Sequence, residues 1–258
     1  MQAKGSAWAR VYDDLLRHQA DLSFDLEQGF FQHCQQWIDA NIVLDFGSGN
    51  GYYASLLTKA FPAKTILCVD HNSDLVQISK EAPDTRSLDA ICGAFTDVPA
   101  DRKFDFIYSR HVLSYLNDAD RNHFIEWASS ATQPQAAFLT IDADDEAFFC
   151  RPRLPFLEDG NEKFKKDLKT KGGDRDLQHT LAAQFAKNGF VLSYSRPLLV
   201  HSHIAQRKYL MSMFMRSVAE IDHGWPLPEG VRQEIDAWTT SRTSYLQYGL
   251  FGSIFVKA

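Results

Sequence analysis

A short apolar run that ends in an aspartate and turns at once into three glycines constrains this chain more than any other feature: "NIVLDFGSGNGYYASLL", Asn41 to Leu57. Glycine gives up more backbone freedom on ordering than any other residue, so Gly47, Gly49 and Gly51 imply a main chain that must bend sharply or lie bare against something. The stretch before them, Ile42 to Phe46, is continuously apolar in the manner of a buried strand, and Tyr52 to Ala60 has a helical pattern. A bare bend between a buried strand and a helix is the opening of a βα unit.

The same rhythm recurs downstream. Thr65 to Asp70, Phe104 to Ser109 and Ala136 to Asp142 read as further buried strands, with helical patterns at Ser73 to Lys80 and Asp118 to Ala131 between them. Strand and helix in alternation predict a parallel sheet wound with helices on both faces. "LAAQFAKNGF" adds a helix stopped near Gly189, "VLSYSRPLLV" another strand, and "GLFGSIFVKA" a last one. Two regions break the pattern. Residues 144–178 are charged and read as an insertion over the sheet; 206–248 read as two helices divided by "DHGWPLPEG", whose Met, Phe and Tyr residues suit either core packing or a cofactor box.

Composition excludes several classes. With 258 residues, 45% hydrophobic and 23% charged, the chain matches an ordinary globular domain rather than a disordered one. A formal charge of −6 argues against binding driven by nucleic-acid phosphates. Cys34, Cys68, Cys92 and Cys150 are scattered without metal-ligand spacing and read as reduced thiols. No apolar run has the length of a leader or of a membrane span, so a cytoplasmic protein with no membrane partner is the expectation.

The bend itself has a chemistry. After a first strand and before a first helix, backbone N–H groups and a helix start point at a ligand. A dinucleotide would call for Gly-x-Gly-x-x-Gly; here the spacing is Gly-x-Gly-x-Gly, and Asp45 lies two residues before the first glycine. A carboxylate there would repel a pyrophosphate and attract an ammonium group. The second strand ends at Asp70, placed to accept hydrogen bonds from a ribose diol, although Asp70, Asn72 or Ser73 could equally cap the helix that follows. Together they describe a site for a ribonucleoside with a cationic, amino-acid-like end.

"VLDFGSGNG" followed by "ILCVDHN" resembles the first two motifs of the class I S-adenosylmethionine-dependent methyltransferases, and "GAFTDVPADRKFDFIYSRHVLSYLND" resembles that family's third and fourth strands with their loops. The resemblance covers about Asn41 to Asp142. It implies a Rossmann-like doubly wound α/β fold: a seven-stranded sheet, mostly parallel with its last strand antiparallel, and S-adenosyl-L-methionine across the C-terminal strand ends. Asp45 and Gly47 would hold the methionine portion, Gly49 and Gly51 leave room for the cofactor, Asp70 take the ribose hydroxyls and His71 flank the adenine. Ser109 and Arg110 would border the methionine end. The family's usual acid at the adenine amino group is replaced by Ala94, so the backbone at Ala94 and Phe95, or the side chain of Asp89 or Asp97, would take its place. Trp8 and Tyr12 resemble a cofactor-closing lid, or else pack a helix on the sheet edge.

Methyl transfer from a sulfonium needs alignment and desolvation, and a base only where the acceptor must lose a proton. His111 follows the fourth strand as a candidate base or as a helix-start histidine bonded to backbone. Tyr115, His201 and His203 are candidate substrate contacts; His123, mid-helix, reads as structural. Asp142, Asp144, Asp145 and Glu146 could hold a metal, attract an amine or form a solvated loop; the absence of a second carboxylate beside Ser109 favours no metal.

One methyltransferase domain over 1–258 is therefore expected, with lid helices in 1–40, the 144–178 insertion and a 206–248 helical substrate cover. The expected activity is methyl transfer to oxygen or nitrogen of a small molecule by a monomer or homodimer. The alternatives are a protein methyltransferase and a cofactor-binding fold that transfers no methyl.

Overall fold

The computed structural model describes residues 6–258; the first five positions of the expected 1–40 lid lie outside the described residues. The strands are β1 (Ile42–Phe46), β2 (Thr65–Asp70), β3 (Asp89–Cys92), β4 (Phe104–Arg110), β5 (Thr132–Arg151), β6 (Phe190–His201) and β7 (Tyr245–Lys257). They form one seven-stranded sheet in the order β3-β2-β1-β4-β5-β7-β6. β1 to β5 are parallel, and β7 runs antiparallel between β5 and β6. The fold is the Rossmann-like one that the βα rhythm predicts.

Nine helices flank the sheet among the described residues: α1 (Ser6–Gln32), α2 (Gln35–Asp39), α3 (Tyr52–Ala60), α4 (Ser73–Glu81), α5 (Asp118–Ala131), α6 (Pro155–Thr170), α7 (Leu181–Lys187), α8 (Ala205–His223) and α9 (Glu229–Thr240). Side chains alternate across a strand, so each strand feeds two cores. Val43, Cys68, Phe106, Tyr108 and Leu139 meet Phe31, Trp37, Leu57, Met211, Met215 and Trp238 on one face. Leu44, Val69, Ile107 and Phe138 meet Phe124 and Phe185 on the other. Phe46 stacks on Phe124 with ring centroids 3.7 Å apart, which ties the tip of β1 to α5. The Met and Phe residues of α8 that matched either core or cofactor box include Met211 and Met215, both fully buried in the first core.

Strand order reverses between β1 and β4, because the chain goes out through β2 and β3 and returns on the other side of β1. In open α/β sheets the crevice outside the carboxyl ends at such a reversal is the ligand site. Register puts Asp45 beside Tyr108 and Phe46 beside Ser109 there.

Two expectations need correction. The third strand lies at Asp89–Cys92, just before Gly93 rather than within the stretch that begins there. The fifth does not stop at Asp142. Past that point it pairs with β7, Asp144 opposite Gly249 and, after a shift, Phe149 opposite Gln247 through Arg151 opposite Tyr245. Its acidic residues masked this, since a strand with a solvated side lacks the continuous apolar run of a buried one. α6 follows and supplies a second turn of chain beside the same strand ends.

Candidate functional site

The glycine bend has the geometry its composition demands. Gly47, Gly49 and Gly51 have φ of 75°, 55° and 71°, in the left-handed region that side-chain-bearing residues avoid. Gly47 and Ser48 N–H both donate to the Val69 carbonyl at 2.8 and 3.1 Å, which bends the chain around the end of β2. Asp70 braces the bend from below: Oδ2 accepts from Gly49 N–H and Oδ1 from Asn72 N–H, each at 2.8 Å. The cap of α4 is Asn72, whose side chain accepts from Asp74 and Leu75 N–H, so capping does not account for Asp70. His71 beside it is almost fully exposed, its Nδ1 3.7 Å from Asp70 Oδ1.

Asp45 is buried on the same side of the sheet as Tyr108, and its Oδ2 has no hydrogen-bond partner. Burial pushes its carboxyl up to about 7; the Tyr108 hydroxyl opposes this without closing a geometrically sound bond, Asp70 adds to it and Arg110 opposes it. Nature rarely leaves a buried carboxylate uncompensated, because an unpaired charge out of water is costly. An ammonium group is the kind of partner that would compensate it.

Arg110 acts on Asp45 but is engaged chiefly elsewhere. Phe106, Tyr108 and Arg110 share one face of β4, so Arg110 is carried up to α1. There Nε lies 3.1 and 3.0 Å from the two carboxylate oxygens of Glu27, and the Nη atoms donate to Gln19 Oε1, Gln19 O and Ser23 Oγ. Ser23 Oγ donates to Glu27 at 2.6 Å. The Arg110 guanidinium stands 4.9 Å from the Tyr53 ring centroid. Sequence reasoning missed Gln19, Ser23 and Glu27; their four-residue spacing on one helix face was the available signal.

α1 crosses the bend. Leu16 Cδ1 lies 2.7 Å from where a Cβ on Gly49 would fall, and Val112 Cγ2 lies 2.2 Å from the same point on Gly47, so larger residues have no room at either position. Asn50 Nδ2 donates to Asp13 Oδ1 at 2.6 Å and Arg17 binds Asp84 at 2.7 Å, fastening α1 to the far side of the cleft. Tyr12 stacks on Trp8 with centroids 4.8 Å apart, and its hydroxyl pKa is raised by burial and by the neighbouring Tyr115 and Asp70. Of the residues expected at the cofactor, Tyr12, Asp45, Asp70 and the three glycines are thus brought together.

After β3, Ala94 is exposed and its N–H donates to Asp97 Oδ2 at 2.7 Å. That places the Asp97 carboxylate against Gly93, whereas Asp89 opens β3 at the opposite end and pairs with Arg102. Phe95 packs into the second core against Phe46, Phe124 and Trp127. His123 is exposed with its ring edge-on to Phe95.

At the end of β4 and just past it, Ser109 Oγ and His111 Nε2 are both buried without partners. His111 has φ of 55° and its N–H donates to the Ile141 carbonyl at 2.7 Å, which fixes it in the bend after the strand rather than in a helix. Burial, then the charges of Arg110 and Arg175, hold its pKa well below the usual histidine value, so the ring is neutral. Asp142 is buried, not solvated: it accepts from Thr140 Oγ1 at 2.9 Å and Ser114 N–H at 3.4 Å, and burial raises its carboxyl to about 6. Tyr115 is 46% exposed and packs edge-on to Phe164. His201 and His203 stack at 3.7 Å at the end of β6, and no hydrogen bond or ring contact joins them to His111 among the described residues. No cluster of three or more His, Cys, Asp or Glu side chains suited to a metal occurs among the described residues, and no helix is long and apolar enough to cross a membrane.

The donor set suits a sulfonium nucleoside with an amino-acid end: an orphaned carboxylate for the ammonium, a bare bend, and a strand-end acid with free lone pairs for a diol. Residues 43–135 match the family model for a methyltransferase domain. Over 75 residues the chain is 31% identical to malonyl-(acyl-carrier protein) O-methyltransferase of Priestia megaterium, a stretch covering 29% of this chain and 27% of that protein. The chain spans between 27% and 52% of the length of the curated relatives it matches. A candidate sarcosine dimethylglycine methyltransferase from Galdieria sulphuraria superposes with a TM-score of 0.55 at 16% identity, over 94% of this chain and 86% of that one. A cyclopropane synthase from Mycobacterium tuberculosis does so with a TM-score of 0.54 at 14% identity, over 84% and 78%. At such identity the structural likeness concerns the fold.

Proposed function

We propose, from the Rossmann-like fold and the match of residues 43–135 to a methyltransferase domain, that the chain uses S-adenosyl-L-methionine to methylate an oxygen or nitrogen of a small molecule. The observation that carries this is Asp45: a buried carboxylate with an unpartnered oxygen at the tip of β1, beside a bend only glycine can make. An ammonium group would complete that carboxylate, and Gly47 would hold the adjoining portion. Asp70 keeps lone pairs free for a ribose diol while gripping the bend. Asp97, folded back on Ala94, is the acid best placed for an adenine amino group, and Tyr12 closes over Asp70 from α1. When bound, the cofactor supplies a methyl group already activated by its sulfonium.

The chain's own contribution is alignment, exclusion of water and a proton acceptor. α1, fastened at both ends, covers the bend and removes solvent from the strand ends. Neutral His111, held by its main-chain bond, has a buried Nε2 without a partner, and in the tautomer protonated on Nδ1 that nitrogen would take a proton from an acceptor hydroxyl or amine; its depressed pKa makes it a weak base suited to an acceptor that is itself acidic. α6 with the segment that follows it, and α8 with α9, cover the acceptor.

Incubation of a metabolite extract with the enzyme and methyl-labelled cofactor, read by untargeted mass spectrometry, tests the activity. Labelled product is expected. His111→Ala should lower its rate by about 10²–10⁴-fold while S-adenosylhomocysteine affinity stays unchanged; an unaltered rate assigns His111 a structural role, and binding without turnover on any extract contradicts methyl transfer.

A further inference from the structure

Arg175 has a place in the site that no strand or motif announces. Gly173 and Asp174 run over the turn that follows His111: Asp174 N–H donates to the Ser114 carbonyl at 2.9 Å, and a Cβ on Gly173 would fall 2.7 Å from that same oxygen. This fixes the next residue, Arg175, between the turn and α6. Its guanidinium lies over the Phe164 ring at 5.4 Å, and Phe164 in turn packs on Tyr115. Nη2 donates to Asp145 Oδ1 at 2.6 Å. Of its five donors that is the one with a partner among the described residues, and Nε is buried with none. Its positive charge reaches His111, where it adds to burial and to Arg110 in lowering the pKa, and Tyr115 and Asp142, where it opposes the larger upward push of burial. Lys165 also binds Asp145, at 3.5 Å, so Asp145 is shared between two cations and neutralises neither fully.

A guanidinium with an open edge, backed by an aromatic shelf and held beside a neutral histidine, is a receptor for a planar oxyanion, which it can grip through two parallel N–H bonds. We propose that Arg175 recognises a carboxylate on the methyl acceptor, so that the substrate class is a small carboxylic acid, methylated on a hydroxyl or amine close to that carboxylate. This rests on the methyl-transfer reading above for the position of the acceptor. The opposing chemistry, an amine drawn to Asp142, is disfavoured because Asp142 already accepts from Thr140 and Ser114 and stands beside the Arg175 charge.

Calorimetry of the full chain with S-adenosylhomocysteine, then with benzoate, benzamide and benzylamine as probes of matched shape, tests this. Benzoate should bind at least tenfold more tightly than the other two, Arg175→Gln should abolish that preference, and Arg175→Lys should retain part of it, each variant being checked for an unchanged unfolding temperature. Equal binding of benzoate and benzamide, preference for benzylamine, preference for benzoate surviving in Arg175→Gln, or no benzoate binding at all overturns the assignment. Failure of the first titration, with S-adenosylhomocysteine, is separate and counts against the methyl-transfer reading itself.

Discussion

At the residue scale, Asp45 carries the most free energy that can be redirected by a ligand. Its carboxyl is raised from 3.8 to about 7, so between those pH values the folded chain keeps a proton that the unfolded chain has released. Stability from this group is therefore greatest below the lower value and is lost as pH rises through the upper one, the reverse of a salt-bridged aspartate. Asp45→Asn should raise the unfolding temperature of the ligand-free protein more at pH 8 than at pH 5; a gain that is equal at both, or larger at pH 5, would mean the carboxylate is compensated. The two strand-end acids were legible in the sequence because apolar runs of fixed length leave little choice about where a strand stops. Ser109 and Arg110 were paired there as cofactor neighbours, yet adjacent strand residues face opposite sides of a sheet, so only Arg110 shares the face of Tyr108 and Asp45, where it also meets α1. Arg175 was hidden in a charged stretch whose position depends on one main-chain bond to Ser114.

At the scale of elements, α1 is tied down by one fully buried ion pair besides its apolar contacts and its half-buried ties at Asp13 and Arg17. The Glu27 side chain is fully buried and that of Arg110 is 8% exposed, so removing the cation leaves a charge without water or partner. Arg110→Ala should cost about 3–5 kcal/mol and strip hydrogen-exchange protection from α1 before the sheet; intact protection with an unchanged unfolding temperature would show that α1 is held by its apolar contacts alone. The βα rhythm, β1, α3, β2 and α5 were readable to the residue from apolar runs and helical periods. β5 was not, because its extension beyond Asp142 is paired with β7 far away in sequence and carries acidic residues on the way. The polar residues Gln19, Ser23 and Glu27 look like a solvated helix face until Arg110 is placed opposite them.

At the scale of the whole molecule, the reversal of strand order between β1 and β4 gathers parts from distant stretches: the bend and Asp70, the β4 turn with His111, α1 from the start and Arg175 from beyond α6. The central claim is that this crevice binds a sulfonium nucleoside through Asp45 and Asp70. Titration calorimetry of the wild-type chain and Asp70→Ala with S-adenosylhomocysteine and with NADH tests it most directly. Saturable binding of S-adenosylhomocysteine, weakened by about 1–3 kcal/mol in Asp70→Ala, with no heat from NADH, is the predicted result; NADH binding in its place, or an affinity that Asp70→Ala leaves unchanged, would contradict it.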